Sequence, residues 1–429
     1  MNEVKINEKK KMNMKYLLIL LLLLPLTGTA QTYTLEECCR LALEQNAKIK
    51  TAMDDRSAAV MEKKEAFTNF LPSVSLMGGA MKADDAMLQV AMGDQTMKLM
   101  DGGMYGSVMA SLPIYAGGKI LNGHKLAELG VEISELQLHQ TQNEVKLTIA
   151  RYYWQIVVLT EKLRTLESVR ELLDNMNRDV NHAVEAGIRK RNDLLQVQLR
   201  KNDTQSAFID VEKDLEVCKM LLAQYMGVES DKVEVAISLD TAPVSPDALF
   251  VNHTDVLETT PEYRLLQKNV DAARLQKRMA LGEYLPTVSV SGGYMYQDFM
   301  GPSQNSFIGM VSVSVPISWK APYSVKKQKY RYRNAVTKLN DGGEQLIIRM
   351  QKTQNDLQSA YQQVLIAKKS IEQAAENLRL NENYYKAGTS SMSDLLDAQT
   401  LFRQSTDKYA EVYADYEIKK TEYLQITGR

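Results

Sequence analysis

Two hydrophobic periods divide this chain. Val311, Val313 and Val315 alternate with Ser312 and Ser314, and Val74 and Leu76 alternate with Ser73 and Ser75. Val108, Ala110 and Leu112 alternate with Ser107, Met109 and Ser111. A period of two predicts strands with one apolar face and one small polar face. Elsewhere the period lengthens. Leu159, Leu163, Leu166, Val169, Leu173, Met176, Val180 and Val184 recur in steps of three and four, the seam that helix–helix packing needs. Residues 119–186 contain no proline and predict one helix, about 100 Å long at ~1.5 Å per residue. Residues 324–387 predict a second helix of nearly that length. Gly187 and Gly388 end these helices, and Asp193 and Asp394 stand near the starts of shorter returning ones. Helices at about 34–70 and 261–284 precede the strands. Pro72, Pro113, Pro286 and Pro316 mark all four helix–strand junctions, where a missing backbone donor does least harm.

The whole order occurs twice. Phe70-Leu71-Pro72-Ser73-Val74-Ser75 matches Tyr284-Leu285-Pro286-Thr287-Val288-Ser289, and Ser111-Leu112-Pro113-Ile114 matches Ser314-Val315-Pro316-Ile317. Ala186-Gly187-Ile188 with Asn192-Asp193-Leu194-Leu195 matches Ala387-Gly388-Thr389 with Ser393-Asp394-Leu395-Leu396. Such units are too long for a solenoid repeat and read as one ancestral unit doubled. The first repeat spans 31–227, with a strand pair at about 72–114 and long helices at about 119–186 and 192–227. The second spans 261–429, with a strand pair at about 286–318 and long helices at about 324–387 and 392–427. Residues 228–260, with Pro243 and Pro246, form a linker or equatorial segment between them.

The N-terminus changes the setting. Lys5, Lys9, Lys10, Lys11 and Lys15 precede a short apolar run at 16–26, and Gly28 and Ala30 follow it. This is a secretory signal peptide over 1–30, cut between Ala30 and Gln31. Its apolar run is too short to span a bilayer. A net charge of −1 from 52 basic and 53 acidic residues gives no field to draw nucleic acid, and no such partner is expected. Mean hydropathy is −0.30, which excludes a helical membrane protein. It leaves room for a membrane β-barrel, whose strands hide in average composition. Phe70, Tyr115, Tyr284, Trp319 and Tyr323 cluster at the junctions, where a membrane-interface belt would sit. The soluble alternative is a half-buried antiparallel sheet. Four strands cannot close a barrel in lipid, so a barrel needs several copies.

Little points to catalysis. His124, His139, His182 and His253 are scattered, and no phosphate loop, nucleophile elbow or metalloprotease helix occurs. No enzyme, cofactor or metal centre is expected. Cys38, Cys39 and Cys218 read as small buried or half-buried side chains.

The opening Thr34-Leu35-Glu36-Glu37 with Ala42-Leu43-Glu44-Gln45-Asn46, the Leu71-Pro72 and Leu285-Pro286 junctions and the two glycine tips stand in one order behind a signal peptide. In this the chain resembles the TolC family of outer-membrane efflux proteins over nearly all its exported length. The resemblance implies a mainly α fold with a membrane β-barrel, built from a duplicated unit of four strands and long antiparallel helices per chain. It implies a homotrimer with a twelve-strand barrel in outer-membrane lipid and a twelve-helix tunnel in the periplasm. The function implied is a passive exit duct of a tripartite efflux or type I secretion-like system. A periplasmic adaptor would open it at its tip, and an inner-membrane pump would drive export.

The resemblance also carries site residues. Tyr385 matches the family's gating tyrosine, Asp193 the aspartate it meets, and Asn192 a threonine. Ser390 stands where the family has a gating arginine, so that half of the lock is absent or replaced by Arg189, Lys190 or Arg191. Asp394 and Asp397 match the carboxylates of the tunnel's constriction ring, and three residues apart on a helix they share a face. Crowded in a trimer they would raise one another's pKa and attract cations. The alternative is a plain helix cap and first-turn acid. Ala186, Gly187, Ile188, Ala387, Gly388 and Thr389 match the adaptor-contacting tips.

Two features remain. Met77, Met81, Met87, Met92, Met97, Met100, Met104 and Met109 crowd the first hairpin, either as flexible filler or as soft ligands for Cu(I). Lys326, Lys327, Lys329, Arg331 and Arg333 begin the second long helix, where they would meet lipid headgroups or solvent. The rival functional reading is a periplasmic coiled-coil adaptor or scaffold without a pore. The strand alternation speaks against it.

Overall fold

The computed structural model describes residues 31–429, apart from 94, 100, 101, 231, 232, 238, 240, 241 and 299–301. The expected signal peptide lies outside the described residues. The elements in order are β1 (Gln31–Tyr33), α1 (Leu35–Gln45), α2 (Ala47–Thr68), β2 (Ser73–Lys82), β3 (Leu88–Met92), β4 (Gln95–Leu99), β5 (Gly102–Ala116) and α3 (Lys119–Glu185). There follow α4 (Arg191–Met226), β6 (Val233–Val235), α5 (His253–Val256), α6 (Pro261–Gly282), β7 (Thr287–Gln297), β8 (Gln304–Ser314), α7 (Ala321–Lys386) and α8 (Met392–Ile426). Among the described residues no helix is long and apolar enough to cross a membrane.

The chain divides into two compact units. One comprises the described residues 31–46 with Thr148–Ala242 and Ile366–Ala414. Thr34 opens α1 with a capping box. Its Oγ1 accepts from the Glu37 N–H at 3.3 Å, and the Glu37 carboxylate accepts from the Thr34 N–H at 2.9 Å. The Thr34 N–H and the Thr34 hydroxyl, which also donates to that carboxylate at 3.2 Å, hold the Glu37 carboxyl below its ordinary pKa. The helix expected over 34–70 breaks at Asn46. That residue has extended backbone, ψ 135°, and its Nδ2 donates to the Tyr225 carbonyl at 3.2 Å. In this unit Leu159, Leu166, Val169, Leu173 and Val180 of the predicted seam are buried. Trp154 packs on Tyr413 at 5.7 Å, and the Tyr153 hydroxyl donates to the Ala236 carbonyl at 2.6 Å. β6 pairs in parallel with β1, Gln31 opposite Val233, tying the segment after the first repeat to the start of the chain. Cys38 is buried, and burial pushes its thiol up to about 12.

The other unit comprises Ala47–Leu147, Pro243–Leu365 and Asp415–Arg429. Within it α2 runs antiparallel to the first part of α3. Arg56 pairs with Glu135 at 2.8 Å, Lys63 with Glu128 at 2.7 Å, and Lys48 with Glu144. These pairs are exposed, so together they set register more than they stabilise. Tyr416 and Tyr423 are fully buried. The Tyr416 hydroxyl donates to the Val244 carbonyl at 2.6 Å, and the Val251 N–H donates to the Tyr423 hydroxyl at 3.2 Å. Two backbones meet closely where β5 hands over to α3. A Cβ on Gly282 would lie 2.5 Å from the Gly117 carbonyl oxygen, so no larger residue fits.

The strands of this unit form one antiparallel sheet in the order β2-β5-β7-β8. Each repeat supplies one hairpin, and the two hairpins pair through β5 and β7. The predicted strand pairs differ from this in two places. Pro113 does not stand at the end of its strand. β5 continues to Ala116, and the register against β7 shifts between Pro113 and Tyr115, because proline lacks the donor that an unbroken ladder needs. The first hairpin also carries an extra two-stranded ribbon, β3 with β4, which accounts for the longer spacing between Pro72 and Pro113.

Candidate functional site: a two-faced sheet and a paired helix tip

The sheet has two chemically distinct faces, set by its register. Ser73 pairs with Ser111, Ser111 with Ser291, and Ser291 with Met310. On this face the Ser289 and Ser312 hydroxyls meet at 2.6 Å, and Ser73 Oγ donates to the Ser111 carbonyl at 3.2 Å. The next residues along each strand face the other way. Val74 pairs with Ala110, Leu112 with Val290, and Val290 with Val311. The rings of Tyr294 and Phe307, also paired there, lie 5.1 Å apart, and Phe307 is 88% exposed. An exposed band of valine, leucine and aromatics opposite a serine face is what a strand between lipid and water needs. All five belt candidates are exposed, Trp319 at 90%. Phe70 also packs edge-on to His124 at 5.8 Å. Lys326, Lys327, Lys329, Arg331 and Arg333 are exposed on α7.

The two glycine tips have the same backbone chemistry. Gly187 and Gly388 have φ of +73° and +77°, a conformation that disfavours any side chain. The Ile188 N–H donates to the Ala183 carbonyl at 2.8 Å, and the Thr389 N–H to the Tyr384 carbonyl at 2.9 Å. The Gly187 N–H reaches Val184, and the Gly388 N–H reaches Tyr385, both at 3.0 Å. Ala186, Gly187, Ile188, Ala387, Gly388 and Thr389 are all exposed, with Ile188 at 76%. Behind them Val169, Leu173, Val180, Val197, Met392 and Leu396 form a buried cluster, and Tyr385 packs against it.

The structure brings Tyr385 and Arg189 together. The guanidinium carbon lies 4.5 Å from the ring centroid, and Nη2 donates to the Tyr385 carbonyl at 3.3 Å. Burial pushes the Tyr385 hydroxyl pKa up; Arg189 opposes this and Asp193 adds to it. Asp193 therefore stands within electrostatic reach of the ring that Arg189 covers. Of the three cations offered by the sequence, Arg189 makes the contact. Lys190 is the N-cap residue of α4 without a side-chain cap bond, and Arg191 begins that helix. Asn192 is exposed.

Ser390 and Asp394 meet within the chain. The Asp394 carboxylate accepts from the Ser391 N–H at 2.9 Å, from Ser391 Oγ at 2.7 Å and from Ser390 Oγ at 3.2 Å. In return Ser391 Oγ accepts from the Asp394 N–H at 3.2 Å. This is a reciprocal cap. The Ser391 hydroxyl and N–H, then Ser390, hold the Asp394 carboxyl below its ordinary pKa. The single chain thus shifts Asp394 opposite to the direction expected from like-charge crowding, because the hydroxyls favour the ionised form. Asp397 lies exposed one turn on. Ser391 was not singled out from sequence; the spacing Ser-x-x-Asp before an apolar run is the signal that finds it.

Comparison with known proteins agrees with this geometry. A comparison with curated proteins finds no matching sequence. Among solved structures, the outer membrane protein VceC of Vibrio cholerae matches with a TM-score of 0.77 at 14% identity, over 92% of this chain and 96% of that one. The CmeC outer membrane channel of Campylobacter jejuni matches at 0.78 and 14%, over 92% and 85%. The open state of the MtrE outer membrane channel of Neisseria gonorrhoeae matches at 0.72 and 16%, over 92% and 88%. At these identities the likeness is one of fold. The model of the family described as outer membrane efflux protein matches residues 39–228 and 254–429, one segment for each repeat. The chain belongs to the outer membrane efflux protein family and is an outer-membrane efflux channel.

Proposed function

We propose that three copies of the chain join into a passive duct, the exit conduit of a tripartite efflux or type I secretion-like system. The observation that carries this is the sheet. β2 and β8 are its outer strands, and their outer backbone groups have no partner strand among the described residues. An unpaired edge is not tolerated in lipid. Joining β2 of one copy to β8 of the next satisfies both edges, and three copies close a barrel of twelve strands, an even number as in bacterial barrels. The serine face then lines the lumen and the valine face meets lipid.

The helical part of each repeat, 31–227 and 261–429, forms the periplasmic tunnel wall in this reading, with 228–260 as an equatorial segment. Tyr385, Asp193 and Arg189 hold the tip closed, Arg189 serving where Ser390 has replaced the family arginine. Asp394 and Asp397 from three copies line the constriction. A periplasmic adaptor meets the tips at Gly187 and Gly388 and parts the helix pairs, and an inner-membrane pump supplies the energy.

Single cysteines placed on both edges, at Val74 or Leu76 of β2 and Val311 or Val313 of β8, test the assembly in a background without native cysteines. Oxidation in membranes should give a covalent three-chain ladder. A chain that stays monomeric for all four pairs contradicts it.

A further inference from the structure

The polar face of the sheet carries thioethers among its hydroxyls. Met77 of β2 and Met295 of β7 stand opposite Ser107 of β5, one on either side. Met109, two residues further along β5, stands opposite Ser75 and Gly293. Met109 is therefore the diagonal neighbour of both Met77 and Met295, a spacing of roughly 7–8 Å that long side chains bridge. Its side chain leans toward β7: the Met109 sulfur lies 2.6 Å from where a Cβ on Gly293 would stand. The missing side chain at Gly293 leaves the thioether room.

The distribution of methionine argues against filler. Strands β2, β5, β7 and β8 contain Met77, Met81, Met104, Met109, Met295 and Met310. Their partners Gly103 and Ser291 put Met81 and Met310 on the polar face with the trio. Met104, opposite Ala80, alone takes the apolar face. Methionine used as flexible apolar filler would favour the opposite side.

We propose that Met77, Met109 and Met295 form a binding site for a soft monovalent d10 cation of the Cu(I) class. Thioethers are soft ligands that select Cu(I) over the hard cations that bind carboxylate and carbonyl oxygen. They are neutral and need no deprotonation, so binding does not weaken toward mildly acid pH as histidine or thiolate sites do. The neighbouring Ser75 and Ser107 hydroxyls are hard and do not compete. The three residues belong to one chain, so each copy holds its own site. This inference goes beyond the duct reading and survives its failure, because binding is measured without conductance.

Ag(I) is the probe, on the full exported chain in detergent, with Cys38, Cys39 and Cys218 replaced by Ala to remove thiolate ligands. Calorimetric titration should find one Ag(I) per chain at this site. Met77→Leu with Met109→Leu and Met295→Leu should abolish it, while Met104→Leu leaves it unchanged. A ribbon variant with Met92 and Met97 changed to Leu should also keep it. Leucine conserves volume, so folding is little disturbed. Met109→Leu alone should weaken binding at least about 10-fold, the loss of one ligand. X-ray absorption on the parent protein should report a shell of sulfur alone, a readout that needs no variant. Undiminished Ag(I) binding in the trio or Met109→Leu variant overturns the proposal. So does loss of binding in the ribbon variant, or a shell of oxygen or nitrogen.

Discussion

Arg189 and Tyr385 hold each other across two tips that the duplication made alike. The guanidinium covers the ring at 4.5 Å and donates to the carbonyl at 3.3 Å. The offset of the repeats puts Ser390 opposite Arg189, so the cation kept at one tip is missing from the other. A cation–π contact contributes about 0.5–1 kcal/mol and a charged hydrogen bond somewhat more.

Arg189→Ala should therefore raise the open probability of the duct at least about 10-fold, because the loss in even one of the three copies is about 1.4 kcal/mol or more. Arg189→Lys should recover only part, since an ammonium lacks the flat fork that both stacks and donates. Single-channel recording reads both. An open probability unchanged in Arg189→Ala removes this residue from the lock.

Tyr385→Phe should open the tip less than Arg189→Ala. It keeps the ring and the carbonyl, the two groups that Arg189 touches, and loses only the hydroxyl on the side of Asp193. The Tyr385 pKa is raised from 10.0, so its hydroxyl stays protonated and gives no gating response between pH 6 and pH 9. A larger effect of Tyr385→Phe would transfer the lock to the hydroxyl.

Asp394 titrates below its ordinary value of 3.8 because Ser391 and Ser390 bind its ionised form. Its contribution to stability is present above the unfolded pKa and is lost as pH falls through the folded one. Melting temperatures measured from pH 6 down to about pH 3 should drop less steeply in Asp394→Asn than in the parent. Ser391→Ala should lower the melting temperature at pH 7 by removing the cap. Asp394→Ala with Asp397→Ala should reduce cation selectivity; unchanged selectivity would leave Asp394 a simple cap.

The two faces of the sheet predict opposite tolerance to charge. Val290→Arg, on the apolar face, should cost about 2–4 kcal/mol near the bilayer midplane and deplete the protein from outer-membrane fractions. Ser291→Arg, its neighbour on the polar face, should insert normally. Equal yields of both would refute the assignment of the faces.

The sequence made the large elements legible because their periods are long and uninterrupted. The buried seam from Leu159 to Val180 was readable in its steps of three and four. The alternation at Val311 and Val313 fixed which residues share a face. Breaks were harder to see. Asn46 alone is a weak sign of a helix end, and the carbonyl that its side chain binds, at Tyr225, lies far along the chain. Pro113 promised a strand end and gave a bulge instead, because β7 continues beside it. At the tip, three consecutive cations offered themselves as Tyr385's partner. Only the turn after Gly187 decides that Arg189 reaches the ring.

Planar-bilayer recording of the purified protein tests the central claim most directly. A passive duct closed at its tip predicts discrete, cation-selective conductance steps, rare in the parent and frequent in Arg189→Ala. Bilayers that stay silent with the parent, Arg189→Ala and Tyr385→Phe alike would contradict it.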